Sequence, residues 1–202
     1  MFTGLIESVG RVTAAEDGGA GRRLRIATTL APELVPGDSV AVNGVCLTVT
    51  ACTAESMDAD IGPETLRVTT LGGVGEGHLV NLERSMRADG RFGGHFVQGH
   101  VDGVGTVQAI RSDGEARWLS IAVPPELEPL FIRKGSVAVD GISLTVAGLS
   151  DGCIEIMIIP FTWGATNLPT RRVGDGVNLE CDMIGKYVAR ALDARASQVR
   201  VP

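Results

Sequence analysis

Aromatic side chains make up only 4% of this 202-residue sequence, and its single tyrosine, Tyr187, stands in the C-terminal tail. That leaves a flavin-dependent oxidoreductase without support. The four cysteines, Cys46, Cys52, Cys153 and Cys181, form no C-x-x-C pair, so zinc and thioredoxin-type chemistry are poorly supported. Positive charge is also short. Eighteen Lys and Arg face twenty-four Asp and Glu, a net charge of −6. A nucleic-acid partner needs a basic face that this balance does not supply. It leaves room for one local cation to hold an anionic ligand. No apolar run approaches the roughly 18 residues that cross a bilayer, and no basic segment leads into an apolar one after Met1. The expectation is a soluble cytoplasmic protein with reduced thiols and no membrane partner. Phosphate loops, dinucleotide fingerprints and the G-x-S-x-G elbow are missing as well.

What is abundant is glycine, at 27 residues, set among many short apolar runs within a 44% hydrophobic chain. That composition favours an all-β fold of short strands and frequent turns. An internal duplication organises it. Val40-Ala41-Val42-Asn43-Gly44-Val45-Cys46-Leu47-Thr48-Val49 returns 97 residues later as Val137-Ala138-Val139-Asp140-Gly141-Ile142-Ser143-Leu144-Thr145-Val146, identical at seven of ten positions. The same shift carries Val80-Asn81-Leu82-Glu83 onto Val177-Asn178-Leu179-Glu180. A shift of 95 carries Gly4, Val9, Gly10 and Val12 onto Gly99, Val104, Gly105 and Val107. The chain is therefore two copies of one unit, 1–92 and 93–184, followed by a tail over 185–202.

Asn43-Gly44 and Asp140-Gly141 are strong hairpin signals, because a type I′ turn needs positive φ at both central residues. Past each turn the alternation sends Val45, Leu47 and Val49 to the core and Cys46 and Thr48 to the other face. Ile142, Leu144 and Val146 are likewise core, with Ser143 and Thr145 opposite. Further strands are expected at Leu5–Val12, Arg23–Thr28, Ser56–Ile61 and Leu79–Glu83. From Asp182 to about Ser197 the apolar residues Met183, Ile184, Tyr187, Val188, Ala191 and Leu192 fall at helical spacing. This helix has no counterpart in the first unit. It packs on its own barrel or joins copies from other subunits.

Two equivalent polar patches, Cys46-Leu47-Thr48 and Ser143-Leu144-Thr145, suggest two places for similar ligands. Ser and Thr also suit the wet face of any strand. His95 and His100 can be structural or acid–base groups. No third ligand accompanies them for a metal.

Met1-Phe2-Thr3-Gly4, the Val42–Thr50 stretch, Pro63-Glu64-Thr65-Leu66-Arg67, Gly93-Gly94-His95, Gly99-His100-Val101, the Asp140–Val146 stretch and Asp182-Met183-Ile184-Gly185-Lys186-Tyr187 together resemble the riboflavin synthase family. The likeness runs over essentially the whole chain, in order. It implies two six-stranded Greek-key antiparallel barrels, a C-terminal α-helix and a homotrimer. The active site would lie between the N-terminal barrel of one subunit and the C-terminal barrel of another. The implied reaction is a dismutation of two 6,7-dimethyl-8-ribityllumazine molecules into riboflavin and 5-amino-6-(D-ribitylamino)uracil, with no metal or organic cofactor. A lumazine synthase shell is a partner some members have. A non-catalytic lumazine- or flavin-binding protein of the same fold is the alternative.

By the same resemblance, Phe2, Cys46, His100 and Ser143 would be catalytic. Substrate contacts of the first barrel would be Gly4, Leu5, Ile6, Leu47, Thr48, Gly62, Pro63, Glu64 and Thr65. Those of the second would be Gly99, Val101, Lys134, Leu144, Thr145, Ile159, Pro160, Phe161 and Thr162. Val45 stands where some members carry a second cysteine, and Phe161 where many are polar. Lys134 faces Gly37 in the repeat, so the two pockets are expected to be unequal.

Overall fold

A computed structural model describes residues 1–19 and 21–199, with side chains through Arg195. The last three residues of the expected tail, 200–202, lie outside the described residues. The first unit contributes β1 (Ser8–Gly18), β2 (Gly21–Ala27), β3 (Ser39–Val42), β4 (Val45–Cys52), β5 (Ser56–Ile61), a short helix α1 (Pro63–Val68) and β6 (Leu79–Arg84). The second repeats them as β7 (Gly103–Asp113), β8 (Ala116–Ala122), β9 (Ser136–Val139), β10 (Ile142–Ser150), β11 (Cys153–Ile158), α2 (Pro160–Ala165) and β12 (Gly176–Cys181). A last helix, α3, spans Met183–Val199. Each set of six strands closes into an antiparallel barrel of the same strand order, β1-β2-β5-β4-β3-β6 and its repeat β7-β8-β11-β10-β9-β12.

The turns are as the Asn-Gly and Asp-Gly pairs predict. Asn43 and Gly44 have φ of 45° and 77°, Asp140 and Gly141 of 45° and 80°. Alternation sets the faces: Val45, Leu47 and Val49 are buried in one barrel, and Ile142 and Val146 in the other with Leu144 half-buried. Closure requires strongly bent strands, and bulges supply the bend. They recur at equivalent places, Val12/Ala14 and Val107/Ala109, then Val49/Ala51 and Val146/Gly148.

The barrels meet about a pseudo-two-fold axis at the two hairpin turns. A Cβ on Gly44 would stand 2.6 Å from the Gly141 amide, so only glycine lets the turns approach this closely. The duplicated asparagines bind across the junction. Asn81 donates from Nδ2 to the Asp140 carbonyl at 2.9 Å, and Asn178 to the Asn43 carbonyl at 2.8 Å. All four residues are buried, where an unpaired amide would be costly.

β1 begins at Ser8 rather than Leu5. Residues 2–6 leave their own barrel and lie across the junction, where Phe2 pairs with Val97 of the inter-barrel linker through N–H···O bonds of 2.7 and 3.2 Å. Phe2, Val97, Ala41 and Ala138 form a small third core between the two large ones.

Candidate functional site

Two extended segments, here called straps, build the site. The first is residues 2–6 and the second 97–101. Gly4 and Gly99, equivalent in the repeat, both adopt a left-handed φ, 77° and 80°. Gly99 presents its carbonyl to the Cys46 amide at 2.9 Å, and Gly4 presents its own to the Ser143 amide at 2.8 Å. A Cβ on Gly4 would fall 2.6 Å from the Ser143 Cβ, and one on Gly99 2.6 Å from the Cys46 Cβ. Glycine is demanded at both places by conformation and by contact.

This geometry corrects the expected grouping of residues. Gly4, Leu5 and Ile6 do not belong with Cys46, Leu47 and Thr48. They lie with Ser143, Leu144 and Thr145 of the second barrel, and Ile6 packs on the second core. Gly99, His100 and Val101 lie with the first barrel, and Val101 packs on its core. Each barrel's polar strand face is thus completed by the segment that leads into the other barrel.

The strap amides would be orphans without partners, and one buried carboxylate serves each strap. Glu83, at the end of β6, accepts from the Thr3 amide and hydroxyl, both at 2.7 Å, and from the Gly4 amide at 2.9 Å. Glu180, on β12, accepts from the amides of Gln98 at 2.6 Å, Gly99 at 2.9 Å and His100 at 2.9 Å. Burial pushes both carboxyls above the usual range, against the opposing pull of those N–H donors.

The two faces differ in chemistry. His95 is buried, its amide bonds to the Thr3 carbonyl at 3.2 Å, and its Nδ1 lies 2.7 Å from Ser143 Oγ. Burial holds this imidazole below its ordinary value, with the Asp182 carboxylate opposing, so the neutral ring is favoured. Its Nε2 is buried and has no hydrogen-bond partner among the described residues. Among the described residues no histidine bonds to the Cys46 thiol, which is half-buried. The His100 imidazole is exposed. Phe2 is fully buried in the third core. It acts by wedging the junction under Gly99, where an added Cβ would come 3.0 Å from its ring.

The other expected contacts stand on the strands themselves, at the starts of α1 and α2, and ahead of β9. Thr48 and Thr145 are exposed. Gly62, Pro63 and Glu64 are exposed at the start of α1, with Thr65 half-buried, and Glu64 pairs with Arg67 at 2.6 Å. Ile159, Pro160 and Phe161 are exposed at the start of α2, Phe161 to 79%, and Thr162 is half-buried. Lys134 is exposed at a left-handed φ of 68° and donates its amide to the Val146 carbonyl, as Gly37 does to Val49 in the repeat. A lysine held where its counterpart is glycine bears backbone strain of order 1–3 kcal/mol, a common feature of functional positions.

These faces are open surfaces. The larger clefts described lie elsewhere, such as one of about 660 Å³ beside β6 that touches Thr3 and Leu5, and one of about 440 Å³ at the β1–β2 hairpin that reaches Gly62. Neither is lined by Cys46 or Ser143. Among the described residues no cluster of His, Cys, Asp or Glu is arranged to hold a metal. Sequence reasoning gave His95 no defined task and gave Glu83 and Glu180 none at all. The available signal was a glutamate retained in both copies of the Val-Asn-Leu-Glu segment.

Two closed barrels in tandem, each with a strap-covered polar strand, define a duplicated lumazine-binding protein. The lumazine binding domain model matches residues 3–85 and again 98–182. Over 193 residues the chain is 45% identical to the riboflavin synthase of Bacillus amyloliquefaciens and 43% to that of Bacillus subtilis, each match covering 95% of this chain and 90% of the relative. The chain belongs to the riboflavin synthase family. Its fold also superposes on LumP complexed with 6,7-dimethyl-8-(1'-D-ribityl) lumazine, with a TM-score of 0.80 and 26% identity over 90% of this chain and 99% of that one.

Proposed function

We propose that this chain catalyses the riboflavin synthase reaction with its two strap-covered faces acting on two copies of one substrate. The observation that carries the reading is the built inequality of two otherwise equivalent faces: a lone thiol at Cys46, and a hydroxyl backed by a neutral imidazole at Ser143. A dismutation needs two like molecules in unlike roles. One lumazine gives up a proton from its 7-methyl group, and the ring delocalises the charge. The other must take up a nucleophile at C7 to become the acceptor.

The Ser143–His95 pair suits the handling of a proton or nucleophile at the second face. In one tautomer His95 accepts from the Ser143 hydroxyl. In the other it donates and leaves the Ser143 proton for the ligand. Lys134, whose counterpart in the first barrel is Gly37, can hold an anionic or hydroxyl group. Holding both lumazines in register removes entropy that a free encounter would lose, worth up to roughly 7–11 kcal/mol.

Two open faces need closure before rings can stack in a dry site. The apolar stripe of α3 supports closure by other copies of the chain. Ile184, Tyr187, Val188 and Leu192 are all more than half exposed, and the Lys186–Asp102 ion pair at 2.9 Å fixes the base of the helix. The assembly proposed is a homotrimer in the cytoplasm, each active site joining the first-barrel face of one subunit to the second-barrel face of another.

Incubating the purified protein with 6,7-dimethyl-8-ribityllumazine and following riboflavin fluorescence tests the reading. Repeated turnover is expected. Stoichiometric binding without turnover would indicate a carrier or antenna protein, and no spectral change would remove the ligand altogether.

A further inference from the structure

We propose that Glu83 and Glu180 are positioning residues that work crosswise: each sits in one barrel and sets the geometry of the other barrel's pocket. Glu83 is on β6 of the first barrel, yet the Thr3 and Gly4 amides it holds belong to the strap over Ser143. Glu180 is on β12 of the second barrel, yet the amides it holds at residues 98–100 belong to the strap over Cys46. This assigns a task to the glutamate of the duplicated Val-Asn-Leu-Glu segment. The asparagine of the same segment already ties the barrels together.

Several observations favour this task over simple stabilisation of β6 and β12. Both carboxylates are buried, at 4% and 2% exposure, and among the described residues neither forms a salt bridge. Each instead receives three short hydrogen bonds from a single strap. Charge-assisted bonds of this kind are about twice as strong as neutral ones. They bear on the residues that face a ligand. The His100 amide is held directly by Glu180, which fixes where the imidazole emerges. The Thr3 carbonyl, beside the Glu83 bonds, takes the His95 amide and so places the ring that reaches Ser143.

A glutamine in either place keeps the shape but loses the charge and turns one acceptor into a donor against the strap amides. The expected effect is local opening of one strap. Glu180→Gln should speed iodoacetamide alkylation of Cys46 roughly tenfold, the scale of one lost charge-assisted bond. Cys52 and Cys153 in the same molecule, and His95, should be unchanged. Glu83→Gln should speed diethylpyrocarbonate modification of His95 by a similar factor, relative to the exposed His78, and leave Cys46 unchanged.

Both measurements use the full-length assembled protein, with peptide mass spectrometry locating the modification. If a glutamine variant does not fold, Thr3→Val removes one donor to Glu83 more gently and should still loosen His95 alone. Equal loosening of both pockets, an uncrossed pattern, or no change in the folded variants overturns the proposal. The proposal takes its pockets from the functional reading above, but the accessibility test needs no turnover. Absence of riboflavin formation by the unaltered protein would fail that reading alone.

Discussion

The Ser143 amide donates to the carbonyl of Gly4 at 2.8 Å, across 139 positions of the chain and from one barrel to the other. The matching bond, from Cys46 to Gly99 at 2.9 Å, runs the opposite way. Cys46 and His100 therefore share one pocket, and Ser143 and His95 share the other.

That partition decides a complementation experiment. If an active site joins the first-barrel face of one subunit to the second-barrel face of another, Cys46→Ala and Ser143→Ala chains should rescue each other when refolded together. An intact first face and an intact second face then meet in some mixed trimers. Cys46→Ala with His100→Gln should give no rescue, since both spoil the same face. Rescue by neither pair, with mixed trimers shown to form, would mean that each active site lies within one chain.

Much of this fold was legible in the sequence, and the reasons are local. Asn43-Gly44 and Asp140-Gly141 announce their turns because few residues accept two consecutive positive φ angles. The alternation after them fixes which side chains are core, and the duplication makes each inference twice. The straps were not legible. A shift of 95 pairs Gly4 with Gly99 but cannot say which barrel each lies on, and chain proximity favours the wrong choice. Nor does spacing reveal that His95 meets Ser143, 48 residues away. Glu83 and Glu180 look like ordinary strand ends until their three strap donors are seen, two amides and the Thr3 hydroxyl for Glu83 and three amides for Glu180.

The His95–Ser143 pair should behave as a unit. Ser143→Ala and His95→Gln each remove the same oriented hydroxyl, so the double variant should be little worse than the poorer single one. Losses in kcat/KM that multiply in the double variant would show that the two act independently.

The same pair sets a pH dependence with a definite sign. Burial lowers the folded-state pKa of His95 below its ordinary value of 6.5. The unfolded chain therefore binds the extra proton more readily. The stability from neutral His95 is present above the ordinary imidazole range and is lost as pH falls through the window beneath it. Activity should hold through pH 6.5 and fall on the acid side, and the limb due to His95 should vanish in His95→Gln. An acid limb unchanged in that variant would assign it to another group.

Truncation after Asp182 removes α3 and its exposed apolar stripe while leaving both barrels closed, since β12 ends at Cys181. Sedimentation should then show smaller species with the circular dichroism of folded barrels. A trimer that survives the truncation would place the subunit contacts on the barrels themselves.

The junction between barrels holds one feature that the repeat does not share. Asp140 is fully buried and its carboxylate meets Arg171 at 2.6 Å, whereas the equivalent positions in the first unit are Asn43 and Val74. Burial pushes the Asp140 carboxyl upward, against the Arg171 charge that pulls it down. Each position also caps its neighbouring strand in the same manner: Asp140 Oδ1 accepts from the Asn178 amide at 2.9 Å, and Asn43 Oδ1 from the Asn81 amide at 2.8 Å. Asp140→Asn keeps that bond but leaves the mostly buried Arg171 guanidinium unpaired. It should cost about 3 kcal/mol, as the breaking of a buried ion pair does. Asp140→Asn together with Arg171→Val copies the arrangement that already works at Asn43 and Val74 and removes the stranded charge. Chemical denaturation should therefore find the double variant more stable than Asp140→Asn alone, recovering most of the loss. If the second substitution makes matters worse, Arg171 supports the junction through contacts other than its ion pair with Asp140.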